Sequence, residues 1–405
     1  MLKLLQIDSC LGVGSTGRIT ENIGKLARSE GWDTYIMHGA RYTGKSEMIS
    51  LPIVSRLQEY MHISGSILFD KHGLFSTSET KRAIQLIRQI NPDIIQLHCI
   101  HGYYLNYKVL FVFLAELNIP IVWTFHDCWA FTGHCGHFVH ANCNKWKSGC
   151  YSCPLLGDYP KSLYFDNSQK TWLLKKDLFS RLKNITIITV SQWLDDITSE
   201  SFFSKKAHFC IYNGIDTKVF VSKSTNLREK YNLKKKIVLV AAATAWNNAK
   251  GLNDYFELCE KLPSECKLVL IGLSENQIKS LTKNIIGLPK TNNTNDLAEW
   301  YSEADVVMNL SYAETFGLTT VEGMACGTPG IVYNCTASPE LITPETGFII
   351  EPGDIDGILN AIETIKSKGK QFYSEACRIR AVSYFDQNKQ FSEYIKLYKD
   401  LLNIS

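Results

Sequence analysis

Short apolar runs alternate with longer stretches of helical spacing along nearly the whole chain. Several runs are continuously apolar, which is typical of strands buried on both faces of a parallel sheet. They predict strands at Lys3–Ile7, Thr34–His38, Asp93–Leu97, Ile121–Phe125, Ile185–Val190, Ile237–Ala242, Lys267–Ile271, Asp305–Leu310 and Gly330–Tyr333. Helical spacing predicts helices such as Lys81–Ile90, Leu252–Lys261 and Ile355–Ile365. The alternation favours an α/β fold with helices on both faces of each sheet.

The length of 405 residues predicts two domains, because a single core rarely grows beyond roughly 250–300 residues. The pattern changes from a helix starting near Gln192 to a strand-like run at His208–Tyr212, which predicts a boundary between them. We expect a first domain at 1–203, a second at 204–385, and a C-terminal helix at 386–405 that packs back on the first domain.

Composition excludes several classes of protein. Hydrophobic residues make up 45% and charged residues 20%, which is ordinary for a globular chain. The net charge of +3 argues against a dedicated nucleic-acid binder. The most apolar stretch, Val109–Phe125, contains Glu116 and Pro120, so it does not predict a membrane span. The N-terminal apolar run is too short for a signal peptide, and we expect a cytoplasmic protein.

A glycine loop follows the first predicted strand, at Gly12–Gly17. It fits the G-x-G-x-x-G pattern of dinucleotide-binding proteins. However, the predicted strand ends at Ile7, and no acidic residue follows the second strand to bind a ribose. We therefore expect a loop whose backbone can approach a phosphate, with a plain strand-to-helix turn as the alternative.

A second loop, after Asp305–Leu310, carries two glutamates seven residues apart, Glu314 and Glu322. Glu314 lies on the loop and Glu322 early in the predicted helix that follows. The amides around Gly317 would point at an anion, with the helix dipole behind them. A carboxylate inside the helix suits ribose hydroxyls. The segment therefore predicts a site for a nucleotide sugar.

Two shorter motifs also follow strands. His126 comes directly after Ile121–Phe125, and its alternative interpretation is a buried structural histidine. Lys250 precedes Gly251 at a predicted helix start and is a candidate phosphate cation; the alternative is an exposed lysine beside a cap. The Asp354-Ile355-Asp356 triplet is interpreted as a helix N-cap rather than a metal site.

Together these motifs resemble the retaining glycosyltransferases of family 4, which have the two-domain B-type fold. The resemblance covers nearly the whole chain, and its specific part is Glu314 through Glu322 with Phe-Gly-Leu between the glutamates. The supporting elements come in the family's order: the glycine loop, His126-Asp127, Val190-Ser191, Asn213–Asp216 and Lys250-Gly251. It implies two Rossmann-like doubly wound domains facing across a cleft.

The resemblance also implies residue roles. His126 and Glu314 would be catalytic, at the transferred sugar. The donor-binding residues would be Gly14, Gly17, Arg18, Lys250, Thr315, Phe316, Gly317, Leu318 and Glu322. The family usually has an arginine shortly before the lysine, where this chain has Thr244–Ala249, and Arg18 is the candidate replacement. The family's transfer retains configuration and needs no catalytic metal or other cofactor.

The loop after Asp93–Leu97 is the candidate acceptor site, with His101, Tyr103 and Tyr104. Packed loop aromatics are the alternative. The basic amphipathic stretch Trp172–Lys183 is interpreted as a solvated helix face, with a membrane-surface patch as the alternative. Such a patch would suit a lipid-linked acceptor at the inner membrane.

A cysteine cluster lies in an insertion at 128–160. One Cys-x2-Cys pair and two further thiols can form a tetrahedral zinc site. The candidate ligands are Cys135, Cys143, Cys150 and Cys153. Free packed thiols and a redox or disulfide pair remain as alternatives.

The resulting expectation is an enzyme that moves a sugar from a UDP- or GDP-sugar to a growing glycan. The glycan would be lipid-linked and belong to a surface polysaccharide such as a capsule or O-antigen. We expect no nucleic-acid partner. Two other functions are kept as alternatives: an NADP-dependent oxidoreductase, and a non-catalytic binding protein stapled by zinc.

Overall fold

The computed structural model describes residues 1–281, 284–291 and 293–404. They form two compact units, one of Met1–Ile211 with the chain from Gln390 on, and one of Tyr212–Lys389. The predicted boundary after residue 203 is wrong, because the strand Ala207–Cys210 pairs with Ile185–Thr189 in the first unit's sheet. The chain therefore leaves the first unit only after this strand.

The first unit contains a seven-stranded parallel sheet in the order β3-β2-β1-β4-β5-β6-β7. Its strands are β1 Lys3–Leu11, β2 Asp33–Thr43, β3 Ile49–Pro52, β4 Ile94–Leu97, β5 Ile121–Phe125, β6 Ile185–Thr189 and β7 Ala207–Cys210. Its helices are α1 Gly14–Ser29, α2 Arg56–Phe69, α3 Thr77–Ile90, α4 Tyr107–Leu114, α5 Ser168–Ser180, α6 Gln192–Ser199 and, at the C-terminus, α14 Gln387–Leu402.

The second unit contains a six-stranded parallel sheet in the order β10-β9-β8-β11-β12-β13. Its strands are β8 Ile237–Ala242, β9 Cys266–Ile271, β10 Ile285–Leu288, β11 Val306–Asn309, β12 Gly330–Tyr333 and β13 Gly347–Ile350. Its helices are α7 Leu227–Lys230, α8 Leu252–Lys261, α9 Glu275–Lys279, α10 Thr294–Glu303, α11 Leu318–Ala325, α12 Ile355–Lys368 and α13 Lys370–Phe385.

The continuous apolar runs form the centres of both sheets, as their composition predicts. Every residue of β4, β5, β6, β11 and β12 is buried. The C-terminal helix α14 supplies four side chains to the core beneath the first sheet: Phe391, Tyr394, Ile395 and Tyr398. The prediction of two parallel-sheet α/β domains is confirmed.

The strands that the pattern did not reveal are β3, β10 and β13, and all three are sheet edges. Each is only four residues long and partly exposed, so its run is too short to stand out in the sequence. The N-cap interpretation of Asp354 is correct, because its carboxylate accepts the Gly357 amide at 2.8 Å at the start of α12. Within the described part of the chain, no helix is both long and apolar enough to cross a bilayer.

Candidate functional site

Each sheet has one point where the strand order reverses, and parallel α/β sheets bind ligands at the carboxyl ends of the strands there. In the first sheet this point lies between β1 and β4, and in the second between β8 and β11. The loops after these strands carry the candidate residues of the sequence. They include the glycine loop after β1, Lys250 after β8 and Glu314 after β11.

In the second unit, the loops after β8 and β11 pack directly on each other. The Ala249 carbonyl accepts the Tyr312 amide at 2.9 Å and the Ser311 hydroxyl at 3.1 Å. Gly251 has a positive φ of 70°, and a Cβ there would lie 2.0 Å from the Leu310 carbonyl oxygen. Only glycine permits this approach, which carries the preceding lysine to the end of β11.

This packing joins two predicted site residues. The Lys250 ammonium donates to Glu314 Oε1 at 2.6 Å, in an ion pair that is partly exposed. Glu314 is itself held by its amide, which donates to Thr336 Oγ1 at 3.0 Å. The candidate phosphate cation and the candidate sugar carboxylate therefore lie side by side at the carboxyl edge of the second sheet.

The α11 helix begins at this same edge. Its N-cap, Gly317, has φ 101° and, as a glycine, offers no side chain of its own to cap the helix. The first-turn amides, including those of Leu318 and Thr319, have no acceptor within the helix. Phe316 is buried against Phe385, with ring centroids 5.6 Å apart, and fixes the turn from behind. The N-terminus of a helix favours a bound anion.

Glu322, on the next turn of α11, is almost completely buried in this structure, next to Tyr301. Burial and then the neighbouring Glu322 carboxylate raise the pKa of Tyr301.

Sequence reasoning missed Asp254 on α8, whose Oδ2 accepts the Tyr312 hydroxyl at 2.7 Å and also that of Tyr333. This contact braces the Glu314 loop against α8. Nothing in the sequence pattern pairs these three residues.

In the first unit, His126 belongs to a hydrogen-bonded chain that sequence reasoning did not foresee. His126 Nε2 lies 3.1 Å from His98 Nδ1, and His98 Nε2 lies 3.1 Å from Gln6 Oε1. The Gln6 amide nitrogen donates to the Thr20 carbonyl, so its oxygen must face His98. His98 therefore donates through Nε2 and accepts through Nδ1, and His126 donates through Nε2.

The electrostatics agree with this arrangement. Burial lowers the pKa of His126 to about 4 and lowers that of His98. Both imidazoles are then neutral at pH 7, as the hydrogen bonds from His126 to His98 and from His98 to Gln6 require. His126 follows β5 directly and is half-buried, and its hydrogen bond to His98 fixes the orientation of its ring.

The glycine loop differs from its prediction. β1 continues to Leu11 through a register irregularity between Asp8 and Cys10, so Gly12 follows the strand directly. The objection that the strand ends too early was therefore wrong. Helix α1 begins at Gly14, within the predicted loop, so Gly14 and Gly17 lie in its first turn.

The candidate arginine lies close to this loop. Arg18 is exposed, and its Nε donates to the Gly14 carbonyl at 3.0 Å. The guanidinium thus lies on the first turn of α1, in the first unit. The first cap position, Val13, gives no side-chain hydrogen bond to the helix.

Asp8, at the irregularity of β1, is a buried carboxylate that sequence reasoning missed. It accepts the Ser9 amide at 2.7 Å and the Thr20 hydroxyl at 2.8 Å. Burial raises its pKa from 3.8 to about 6, although these hydrogen bonds act in the opposite direction. The only sequence signal is an acidic residue within an apolar strand.

The candidate acceptor residues are more buried than expected. His101 Nε2 lies 2.9 Å from Asp127 Oδ2, and although burial opposes it, this contact lowers the pKa of Asp127. Tyr103, at φ 66°, packs edge-on against the His72 ring, 4.6 Å away. Tyr104 is fully buried and donates to the Cys99 carbonyl. This burial favours the packed alternative for Tyr104, and the acceptor role of the three residues stays a prediction.

The four candidate zinc ligands, Cys135, Cys143, Cys150 and Cys153, line one small cavity together with Phe138 and Trp146. The Gly133 amide donates to Cys150 Sγ at 3.1 Å. In the described ranges, no three His, Cys, Asp or Glu side chains converge as ligands of a metal ion. Zinc binding by these four cysteines stays a prediction.

The basic helix α5 does not present its Trp172 and Lys175 to solvent, since both are buried. Lys175 Nζ donates to the Trp129 carbonyl at 2.7 Å and the Thr132 carbonyl at 3.1 Å. Burial lowers the pKa of this ammonium. The buried lysine holds the start of the cysteine-bearing insertion, so this part of the helix is structural.

Comparison with known proteins shows the family of the chain. Residues 18–219 match the model described as glycosyltransferase family 4, and residues 223–379 match the model described as glycosyl transferases group 1. These matches define the class as a two-domain glycosyltransferase. The chain belongs to glycosyltransferase family 4, with the B-type fold.

A curated relative and two solved structures extend over the whole chain. The putative colanic acid biosynthesis glycosyl transferase WcaC of Escherichia coli K12 is 22% identical over 99% of this chain and 100% of its own. Sucrose-phosphate synthase of Thermosynechococcus elongatus superposes with a TM-score of 0.75 at 16% identity, covering 100% of both chains. Anabaena HepE in complex with UDP-glucose gives 0.66 at 18% identity, covering 98% of this chain and 100% of its own.

The chain is therefore a glycosyltransferase of glycan and polysaccharide biosynthesis. An NADP-dependent oxidoreductase and a non-catalytic binding protein are not favoured.

Proposed function

We propose that this enzyme transfers a sugar from a nucleoside diphosphate sugar to a lipid-linked glycan, with retention of configuration and without a catalytic metal. The observation that carries the proposal is the cluster at the carboxyl edge of the second sheet. There the Lys250–Glu314 pair lies beside the N-terminus of α11, which begins at a glycine N-cap. A cation and a helix N-terminus together suit a diphosphate.

The donor side is supported by this chemistry and by the fold. HepE, which shares the fold, has been solved with UDP-glucose. In the present chain, Lys250 and the first amides of α11 would bind the diphosphate. Glu314 would contact the sugar, and Glu322 would accept from the ribose hydroxyls once the buried carboxylate is reached by the nucleotide.

The proposed reaction breaks the bond between the anomeric carbon and the diphosphate and forms one to the acceptor oxygen. Charge develops on the leaving diphosphate, where Lys250 and the α11 amides stabilise it. A phosphate oxygen takes the proton of the acceptor hydroxyl, so no separate base is required. His126 is a poor covalent nucleophile for a sugar carbon, which favours departure and attack on one face.

His126 keeps the role implied by the resemblance, as a neutral hydrogen-bonding group at the sugar. The fixed chain through His98 and Gln6 orients its ring without a proton gain. Because Nε2 donates to His98, the neutral ring can only accept a hydrogen bond from a sugar hydroxyl, through Nδ1, and it adds no charge near the anomeric carbon.

The test of the proposal is a panel of UDP, GDP, ADP and NADP in thermal unfolding, followed by transfer with sugars of the nucleotide that binds. A nucleotide at 100 times its Kd should stabilise the protein by about 2.7 kcal/mol. We expect one nucleoside diphosphate to do so and NADP to have no effect. Stabilisation by NADP alone would contradict the proposal.

A further inference from the structure

Helix α2 in the first unit has its polar and apolar faces reversed. Its buried side chains are Glu59, His62 and Ser66, all of them polar. Its exposed side chains include Leu57, Tyr60, Met61, Leu68 and Phe69. A helix on the surface of a globular protein normally shows the opposite pattern.

The buried polar residues explain why the helix nevertheless holds its place. Glu59 accepts the Ala40 amide at 2.7 Å and the Arg41 guanidinium at 2.8 Å. His62 lies 2.8 Å from the Ser76 hydroxyl. Because these contacts fix the polar face inward, the apolar face must point away from the unit. The reversed orientation is therefore a feature of the fold, and α2 is held firmly in it.

A neighbouring loop extends the same surface. Leu163, Tyr164 and Phe165 are all exposed, and the Leu163 amide donates to the Ile67 carbonyl of α2 at 3.1 Å. Phe165 stacks on Phe69, with ring centroids 6.4 Å apart. We call the eight exposed residues the α2 apolar surface: Leu57, Tyr60, Met61, Leu68, Phe69, Leu163, Tyr164 and Phe165.

The charges around this surface are arranged asymmetrically. The exposed cations Arg56, Lys71 and Lys161 flank it, and they form no ion pair within the described residues. The carboxylates of the helix and of its C-cap, Glu59 and Asp70, are buried and paired with Arg41 and His134. Two exposed carboxylates lie on the adjoining loop, where Asp158 pairs with His140 and Asp166 accepts the Cys153 and Ser168 amides.

We propose that the α2 apolar surface docks this enzyme on a bilayer containing anionic lipids. Exposed aliphatic and aromatic side chains enter the interface between head groups and acyl chains, and basic residues at its rim bind anionic head groups. Tyr60 and Tyr164 have the amphipathic character favoured at that depth. The purpose of this docking rests on the proposed function, since a lipid-linked acceptor would be presented at the bilayer.

The test uses flotation of the full chain with phosphatidylcholine vesicles, with and without 30 mol% phosphatidylglycerol as a chosen lipid composition. The test variant combines Met61→Glu with Tyr164→Glu. The matched control, Phe372→Glu with Ile379→Glu, adds the same charge at exposed apolar residues of α13 in the second unit. Size-exclusion chromatography with light scattering gives the oligomeric state of each variant.

We expect the parent and the control variant to float with anionic vesicles, and the binding to weaken as salt is raised. The test variant should bind at least about tenfold more weakly, because it exchanges apolar contact for charges repelled by the lipid. The inference is overturned if the parent protein does not float with the vesicles, or if the control variant loses binding as much as the test variant. So would a parent dimer that the test variant converts to monomer, because a second copy would then cover the surface.

Nucleotide binding is measured on the same samples and separates the two proposals. A test variant that binds nucleotide normally but no longer floats supports the docking surface. Vesicle binding by a parent that binds no nucleotide would contradict the proposed function while leaving the surface in place.

Discussion

Replacing Lys250 by methionine tests the proposed diphosphate site most sharply. The substitution keeps most of the side-chain stem and removes the charge that lies 2.6 Å from Glu314. A hydrogen bond to a charged group contributes about 1.5–3 kcal/mol, so affinity for the nucleoside diphosphate should fall by roughly 10- to 150-fold. Without nucleotide, the loss of a partly exposed ion pair should cost no more than about 1 kcal/mol.

The companion variant is Glu314→Gln, which leaves the lysine without its anionic partner. In the nucleotide-free protein a diphosphate competes with Glu314 for the Lys250 ammonium, so this variant should bind diphosphate at least as tightly as the parent. Its turnover should fall, because the carboxylate at the sugar is lost. The two variants therefore separate donor binding from transfer.

Isothermal titration with the nucleotide selected by the panel gives the affinities, and a coupled assay of nucleotide release gives turnover. The control is Lys261→Met, which removes an exposed lysine of α8 that pairs with Glu257 at 3.2 Å. It should match the parent in both measurements. The reasoning is refuted if Lys250→Met binds nucleotide as tightly as the parent.

Three further outcomes follow from buried groups. Glu322→Ala should weaken nucleotide-sugar binding by about 1–3 kcal/mol in titration, and unchanged affinity would remove Glu322 from the ribose site. Stability should fall as pH rises from about 4 to about 6, because the folded protein holds the Asp8 proton up to about pH 6. Asp8→Asn should flatten that slope in chemical unfolding, whereas the exposed Asp400→Asn should not, and equal slopes in all three proteins would contradict the assignment. Metal analysis of protein purified without added zinc should find about one zinc per chain, and a metal-free, fully active preparation would reject zinc binding by Cys135, Cys143, Cys150 and Cys153.

The central strands were predictable because burial on both faces leaves continuous apolar runs in the sequence. The edge strands β3, β10 and β13 are only four residues long and partly exposed, so their runs were too short to identify. The boundary was misplaced because β7 is a partly exposed edge of the first sheet. The order of motifs after strands was also readable, since chemistry at a parallel sheet lies at the carboxyl ends.

The partners of site residues were not readable from the sequence. Lys250 and Glu314 are 64 positions apart, and His98 and Gln6 are 92 apart, so only the sheet topology brings each pair together. Burial of single side chains in loops and helices was equally hidden. Tyr104 and Lys175 carry polar groups that are usually found at the surface, yet tertiary packing places both side chains in the interior.

The reversed orientation of helix α2 could not be predicted for a related reason. Helical spacing reveals an apolar face but does not say which face lies inward. The inward face is chosen by the partners of Glu59 and His62, which come from other parts of the chain.

The measurement that tests the central claim most directly is NMR of the transferred sugar in the product. The anomeric coupling of the product is compared with that of the nucleotide-sugar donor. One-face transfer, with the leaving diphosphate stabilised by Lys250 and the α11 amides, predicts the same anomeric configuration in both. An inverted product would contradict the account and would require a base-assisted displacement from the opposite face.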